Sequence, residues 1–96
     1  MIIETPLKAN DVISIKLTSG EEIITKLIEE KDNKLVVSKP LSLTATQQGM
    51  GLAPFMFTID PAAKVQLNQS AIITVVKTQE EMAANYIQST SGIAVA

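Results

Sequence analysis

The chain lacks several residue types on which common protein chemistry depends. Among its 96 residues there is no Cys and no His. These absences exclude a disulfide, a Cys-based metal site and an imidazole acting as ligand or general base. Trp and Arg are missing as well, so all eight basic residues are Lys. Arg is the residue best suited to bidentate phosphate contacts, so its absence argues against a dedicated nucleic-acid surface, although a ring of subunits can concentrate Lys at one face.

Long apolar runs are also missing. No run approaches the ~18 to 20 residues that cross a bilayer. The N-terminal stretch MIIETPLK lacks the basic start and apolar segment of a signal peptide. We therefore expect a cytoplasmic protein with no membrane role. Residues 1–96 are expected to form one small domain with a formal charge of −2, for which self-association is an available source of extra stability.

The sequence does not indicate a catalytic or cofactor site. Acyl-transfer chemistry needs an activated nucleophile, and neither His nor Cys is present to provide one. The adjacent carboxylates Glu21-Glu22 and Glu29-Glu30 would point to opposite faces of a strand, so they do not converge. No Gly-rich phosphate loop or metal-ligand cluster occurs. We expect no enzyme activity, no catalytic residue, no cofactor, no metal and no small-molecule substrate.

What the chain does contain is a three-strand meander over residues 12–37. Two short polar breaks, Ser19-Gly20 and Lys31-Asp32-Asn33, separate its runs and predict tight turns. Within the first two runs, side chains alternate with a period of two, which is typical of strands with one buried face. In the first run Ile13, Ile15 and Leu17 alternate with polar residues, and in the second run Ile23, Thr25 and Leu27 alternate with Ile24, Lys26 and Ile28.

The rest of the chain predicts further strands and one helix. Strands are predicted at about 11–18, 21–31, 34–45, 53–67 and 71–77, a helix at about 79–88 and a flexible tail at 89–96. Pro40 predicts either a bulge or an outward, unpaired position within the third strand, because Pro cannot donate to a ladder, and the strand is expected to bend there. Residues 44–51, which are polar and contain two Gly, predict an exposed, mobile hairpin tip.

The C-terminal part should pack against the sheet. The strand at 71–77 is apolar on both faces, so its second face needs a partner, either the helix or a neighbouring subunit. Thr78 and Glu81 have the spacing of a capping box at the start of the helix. A packing stripe at helical spacing is then predicted at Met82, Ala83, Tyr86 and Ile87.

Two segments resemble the Sm-like family, which includes the LSm proteins and Hfq. The stretch Leu17-Thr18-Ser19-Gly20, the alternating run to Leu27, Asp32 at a tight turn and Leu35-Val36-Val37 resemble its first motif, and NQSAIITV at 68–75 is similar to its closing loop and fifth strand. The resemblance implies an all-β fold: a small five-stranded, strongly bent antiparallel Sm-like (SH3-like) barrel, here followed by a short C-terminal helix. The short, divergent sequence suggests a phage-encoded relative, which would act in the host cytoplasm.

The chain also departs from the family pattern. Thr25 stands where members usually have a second Gly that lets the strand curve, and Asp32 comes one residue late. The Arg-Gly of the second motif is replaced by Asn68-Gln69. These departures bear on the RNA chemistry more than on the fold.

The resemblance implies single-stranded RNA bound around the pore of a ring. The matching RNA-binding positions are Asp32, Asn33, Lys34, Asn68 and Gln69. The matching subunit-interface positions, in a cyclic homo-oligomer of about five to seven copies, are Phe55, Phe57, Ile59, Ala71, Ile73 and Val75. Two alternatives stay open: Asn33 and Lys34 are ordinary turn and surface residues, and the ring is a protein-interaction or assembly module that has lost RNA binding.

Overall fold

The computed structural model describes residues 2–3, 7–60 and 62–90. Over these residues the fold is mostly antiparallel β-sheet with one short C-terminal helix. Its elements are β1 (Ile2–Ile3), β2 (Val12–Leu17), β3 (Glu22–Lys31), β4 (Lys34–Thr46), β5 (Gly49–Pro54), β6 (Lys64–Asn68), a 3-10 helix (Gln69–Ala71), β7 (Ile72–Lys77) and α1 (Glu80–Thr90).

The strands pair in the order β1-β7-β2-β3-β4-β5, and β6 also pairs with β4. This path is open within the described residues, with β5 and β6 at one end and β1 at the other. The short strand β1, which the sequence pattern does not predict, runs parallel to β7. The antiparallel β architecture and the C-terminal helix are thus confirmed.

The predicted strand at 53–67 is wrong as a single element. β5 pairs with residues 41–46 of β4 and β6 pairs with residues 34–38, so the two strands lie end to end along one edge of β4. Residues 55–60, 62 and 63, which come between them in the chain, lie outside the sheet, and we call them the excursion. The alternation of Phe55, Phe57 and Ile59 imitates a strand, but a local turn follows, in which the Asp60 carboxylate accepts a hydrogen bond from the Ala62 N–H at 2.8 Å.

Both predicted turns of the meander are confirmed. Gly20 has φ of +97° between β2 and β3, a conformation that favours Gly. Asp32 and Asn33 join β3 to β4 with φ of +49° and +64°, and Lys31 lies opposite Lys34. Positive φ at both central residues of a two-residue connection is the type I′ turn, whose twist matches that of the flanking strands.

Of the two alternatives predicted at Pro40, the structure shows the bulge. β4 continues through Pro40, and its register against β3 shifts between Ile24 and Lys26, where Lys39 has φ of +53°. The Thr25 hydroxyl donates to the Ser38 carbonyl at 2.7 Å. A Gly at position 25 would make a bend in β3 easier. With Thr25 there instead, the bend coincides with a bulge in which β4 has one extra residue opposite β3.

The exposed hairpin tip predicted at 44–51 is shorter in the structure. β4 extends to Thr46 and β5 begins at Gly49, so only Gln47 and Gln48 connect them. Backbone pairing needs no apolar side chain, so polar residues can continue a ladder beyond the hydrophobic core.

The strands enclose a hydrophobic cluster that we call the inner core. Its buried members are Ile13, Ile15, Leu17, Ile23, Leu27, Leu35, Val37, Leu67, Ile72 and Val75. A second cluster, the helix-covered cluster, consists of Val12, Ile24 and Tyr86. Met82 and Ala83 of α1 pack against it, as the helical spacing predicts, whereas Ile87 is exposed.

The start of α1 differs from the prediction. The helix begins at Glu80, and the Gln79 carbonyl accepts a hydrogen bond from the Ala83 N–H at 2.9 Å. Gln79 thus holds the capping position, because Thr78 is bound to the sheet through its N–H and its hydroxyl, which lies 2.8 Å from Ser14 Oγ. Ser89 and Thr90, predicted to begin a flexible tail, belong to the helix; the remaining tail positions, 91–96, lie outside the described residues.

Candidate nucleic-acid site and subunit surface

The two loops that carry the predicted RNA-binding residues lie together. The Gln69 N–H donates to the Asn33 carbonyl at 2.9 Å, and Lys34 is paired directly with Asn68. The contact arises because β6 runs antiparallel to the start of β4, which brings the end of β6 beside the β3–β4 turn. We call the five residues Asp32, Asn33, Lys34, Asn68 and Gln69 the loop cluster.

Several members of the loop cluster also have structural roles. Asn68 Oδ1 accepts a hydrogen bond from the Ser70 N–H at 3.2 Å and caps the 3-10 helix. Gln69 Nε2 donates to a Glu30 carboxylate oxygen at 3.1 Å. Asp32 and Asn33 hold the positive φ values of the turn, which Asn and Asp tolerate better than most residues. Turn and cap chemistry therefore accounts for part of the pattern that resembles an RNA motif.

A cleft of about 320 Å³ adjoins the loop cluster. Its lining residues are Glu29, Lys31, Asp32, Lys34, Val36, Lys64 and Gln66. Three of the chain's eight Lys thus surround one depression together with two carboxylates. Lys31 and Lys34 are directly opposed across the hairpin, and like charges in that position repel each other. An anion between the two ammonium groups would relieve this repulsion.

The sequence reasoning missed Lys31, Lys64 and Gln66 as members of this cleft. Lys31 could have been found, because a two-residue turn necessarily places the residue before it opposite the residue after it. Lys64 and Gln66 could not, since their position depends on the register in which β6 pairs with β4.

The predicted subunit-interface residues fall into two groups. Phe57 is 80% exposed and Ile73 is 51% exposed, so both side chains are available to a partner. Val75 is fully buried in the inner core, so its side chain is not available, which corrects its assignment to an interface. The physical reason is a bulge: Leu17 pairs with Ile72 and Lys16 with Thr74, which leaves Ile73 as the extra residue. Strict alternation therefore fails within β7.

The other predicted interface residues are less exposed. Phe55 is partly buried and packs against the inner core, Ile59 is partly buried and lines a groove, and Ala71 is partly buried in the 3-10 helix. They can contribute backbone and surface edges to an interface, but Phe57 and Ile73 present the larger accessible apolar side chains.

Among the described residues, Tyr86 has a strongly raised pKa, and it lies away from the loop cluster. Burial raises the pKa of Tyr86 to about 12, and the hydroxyl also lies 3.1 Å from the Ser38 carbonyl, to which it can donate. Its hydroxyl donates to the Lys39 carbonyl at 2.8 Å. Tyr86 therefore anchors α1 at the bulge of β4 and is not positioned for chemistry on a ligand in the loop cluster.

Among residues 2–3, 7–60 and 62–90, no group of three or more His, Cys, Asp or Glu is placed to hold a metal ion. In that same part of the chain, no helix has the length and apolar character that crossing a membrane requires.

Comparison with known proteins does not assign this chain to a family, because neither a protein-family model nor a curated protein matches it. Support for a function comes from the arrangement of the chain's own residues.

Proposed function

We propose that this protein is an Sm-like subunit that assembles into a ring and binds single-stranded RNA at the loop cluster. The observation that carries the proposal is the 2.9 Å hydrogen bond from Gln69 to Asn33. It joins the two loops that the family resemblance selects, although they are about 35 residues apart in sequence. The pairing of β6 with the start of β4 places both loops at one end of the sheet, where their polar side chains can act on the same ligand.

The chemistry of the cluster suits a flexible polyanion with exposed bases. The ammonium groups of Lys31, Lys34 and Lys64 can neutralise phosphates around the adjoining cleft. The amides of Asn33 and Gln69 can donate to and accept from base edges. With Lys as the only basic side chain, phosphate contacts would be single point charges, so we expect moderate affinity with a clear salt dependence.

The free sheet edges support assembly. Among the described strands, the second edge of β6 has no partner, and β7 is flanked by β2 and by the two-residue β1. An unpaired edge is a template for a strand of another chain. Joining β6 of one subunit to β7 of the next would close a ring, with Phe57 and Ile73 supplying apolar contacts. Because β1 pairs with Thr74 and Val75, the neighbour must use the rest of β7 or displace β1.

A specific observation favours the second candidate, a ring that serves as a protein-interaction or assembly module. Glu30 is bound to Gln69, and Glu29 and Asp32 line the cleft. These three carboxylates repel phosphate and offset the three Lys. In an assembly module, the same edges and apolar side chains would act without any RNA contact.

Binding and mass measurements on one sample separate the candidates. We expect light scattering to give a mass of about five to seven subunits and fluorescence anisotropy to show binding of oligo-U or oligo-A that weakens with salt. A ring that binds neither RNA at low salt would exclude RNA binding and leave the assembly module. A monomer under dilute native conditions would exclude the ring.

A matched pair of variants then tests whether RNA binds at the cleft beside the loop cluster. The double variant Lys31→Ala/Lys34→Ala should weaken binding and reduce the salt slope by about 1 to 1.5, since each lost phosphate contact removes about 0.7. Lys8→Ala/Lys77→Ala removes the same charge from exposed residues that do not line the cleft. Equal effects of the two variants would show that only net charge matters and that the cleft is not the binding site.

A further inference from the structure

The sheet edge formed by β5 differs in composition from the rest of the molecule. Residues 40–59 contain no Asp, Glu, Lys or Arg, although 19% of the whole chain is charged. β5 lies within this stretch and ends the strand order, so its second edge has no partner strand among the described residues. Edge strands usually carry Lys or an interior Pro that prevents pairing with other chains. In β5 the only such residue is Pro54, at the very end of the strand, and Met50 is 64% exposed.

The backbone groups of Met50 and Leu52 are directed to this free edge. β5 pairs with β4 in one unbroken register, and just beyond the strand the Phe55 N–H donates to the Pro40 carbonyl at 3.1 Å. Every second residue of an antiparallel strand turns its N–H and C=O to the same neighbour. The odd-numbered residues therefore bond to β4, and Met50 and Leu52 offer their N–H and C=O groups to a further strand.

We propose that β5 pairs with β5 of a second copy of this chain, antiparallel and centred on Gly51. Met50 then lies opposite Leu52 of the other copy, and the two symmetric pairs exchange about four backbone hydrogen bonds. Gly51 faces Gly51 of the other copy as a non-hydrogen-bonded pair, in which the Cα atoms approach to about 4.5 Å and no side chain obstructs them. A register shifted by two residues toward the end of β5 would place Pro54 opposite Met50, and Pro has no N–H to donate.

The side chains favour the same arrangement. Leu52 packs against the helix-covered cluster, and Met50 lies two residues away on the same side of β5. Pairing would place Met50 of each copy beside Leu52 of the other, which extends the apolar packing from one copy to the next. The far end of the edge reaches Pro54, which lines a groove of about 410 Å³ between the excursion, the bulge of β4 and the end of α1. The β4–β5 turn of the second copy would lie beside this groove.

The absence of charge argues for a second copy as the occupant. A two-fold contact brings each residue near its own counterpart, so a charged edge repels its copy. Residues 40–59 contain no charge that could do so, and they offer nothing complementary to a charged partner. The second edge of β6, in contrast, includes Lys64, which two copies would bring into one ladder.

The contact should be weak and independent of the function proposed above. A six-residue edge buries less than the roughly 1,200 Å² of stable complexes, so we expect pairing at high protein concentration. The inference rests on neither RNA binding nor ring formation, because β5 takes no part in the contact between β6 and β7.

Sedimentation equilibrium over a range of protein concentrations tests the pairing. We expect the wild-type mass to double as the concentration rises, from one ring to two or from monomer to dimer. Met50→Lys places a cation at the centre of the contact and should abolish the doubling. The control Asn85→Lys adds the same charge at an exposed position on α1 and should keep it. A wild-type mass that never doubles, or the same behaviour in both variants, would overturn the proposal.

Cross-linking tests the register, and single Cys variants suffice because the chain has no native Cys. With the pairing centred on Gly51, the Met50 positions of the two copies lie about 8 Å apart. A short bis-maleimide should therefore link Met50→Cys between copies at high protein concentration. The control Ser19→Cys lies in the exposed turn between β2 and β3 and should stay mostly unlinked. Equal linkage at both positions, or none at Met50→Cys, would show that β5 does not pair in this way.

Discussion

The inner core and the helix-covered cluster hold the same sheet together by different means. The inner core is a set of ten aliphatic side chains from β2, β3, β4, β6 and β7. Among the described residues, the helix-covered cluster has three buried members, and its largest side chain, Tyr86, brings a hydroxyl that must find an acceptor. Apolar burial alone stabilises the first, whereas the second also depends on specific hydrogen bonds.

Because of this difference, mutations in the inner core and in the helix-covered cluster should have different consequences. Damage to the inner core should unfold the whole sheet, since its side chains come from five strands. Damage to the helix-covered cluster should loosen α1 and the groove beside it while the loop cluster keeps its geometry. RNA binding and the packing of α1 are therefore expected to fail independently.

The largest expected effect comes from Val75→Glu. A carboxylate in place of a fully buried Val should lower the free energy of unfolding by about 4 kcal/mol or more, which can be measured by urea denaturation. The control Ile73→Glu changes an exposed neighbour on the same strand and should leave the monomer folded while reducing the oligomeric mass. If both variants stay folded, the placement of β7 in the core is wrong; if Ile73→Glu keeps the wild-type mass, the β7 interface is wrong.

Alkaline pH should act on the helix-covered cluster. The pKa of Tyr86 is raised to about 12 from 10.0, so the folded state favours the neutral phenol. Its contribution is complete below pH 10 and is lost as the pH rises through 12. The free energy of unfolding should fall by roughly 2 to 3 kcal/mol over this interval through this group. Comparing wild type with Tyr86→Phe isolates it from the titration of Lys, and identical pH profiles would contradict the assignment.

At neutral pH, Tyr86→Phe should lower the free energy of unfolding by about 1 to 2 kcal/mol, because the Lys39 carbonyl loses its 2.8 Å donor. The ring volume is kept, so the apolar packing should change little. Ile87→Ala, at an exposed position one residue further along α1, is the control and should have a smaller effect. A greater loss for Ile87→Ala would place the helix in a different orientation.

The smallest expected effect on stability comes from substituting Asn33. Two variants distinguish its role in the β3–β4 turn from its proposed contact with an RNA base. Asn33→Gly preserves the φ of +64° without strain and should change the free energy of unfolding by less than about 0.5 kcal/mol. Asn33→Ala should cost about 1 kcal/mol, because Ala disfavours this region. If the amide contacts a base, both variants lose RNA affinity; retention of affinity by Asn33→Gly would show that Asn33 serves only the turn.

The meander was predictable because its signals are local. Gly20, Asp32 and Asn33 are turn residues with known φ preferences, and Pro40 marks a bulge whatever the surrounding fold. The stripe on α1 was predictable for the same reason, since helical spacing selects Tyr86 without reference to its acceptor.

What could not be predicted depends on register between distant segments. The burial of Val75 follows from a bulge opposite Lys16 and Leu17, and the excursion follows from how β5 and β6 share the edge of β4. The candidate site likewise contains residues that local sequence indicates and residues that only the strand register brings together. The loop-cluster residues could be selected by resemblance, whereas Lys64 joined the cleft only through the pairing of β6 with β4.

The division of one sheet edge between β5 and β6 has a practical consequence. Each strand takes its register from its own half of β4, at residues 41–46 and 34–38, and so neither register depends on the length of the chain between them. The excursion is therefore a natural place to graft a foreign peptide or a fluorescent reporter, at a position that leaves the loop cluster and its strand pairing intact.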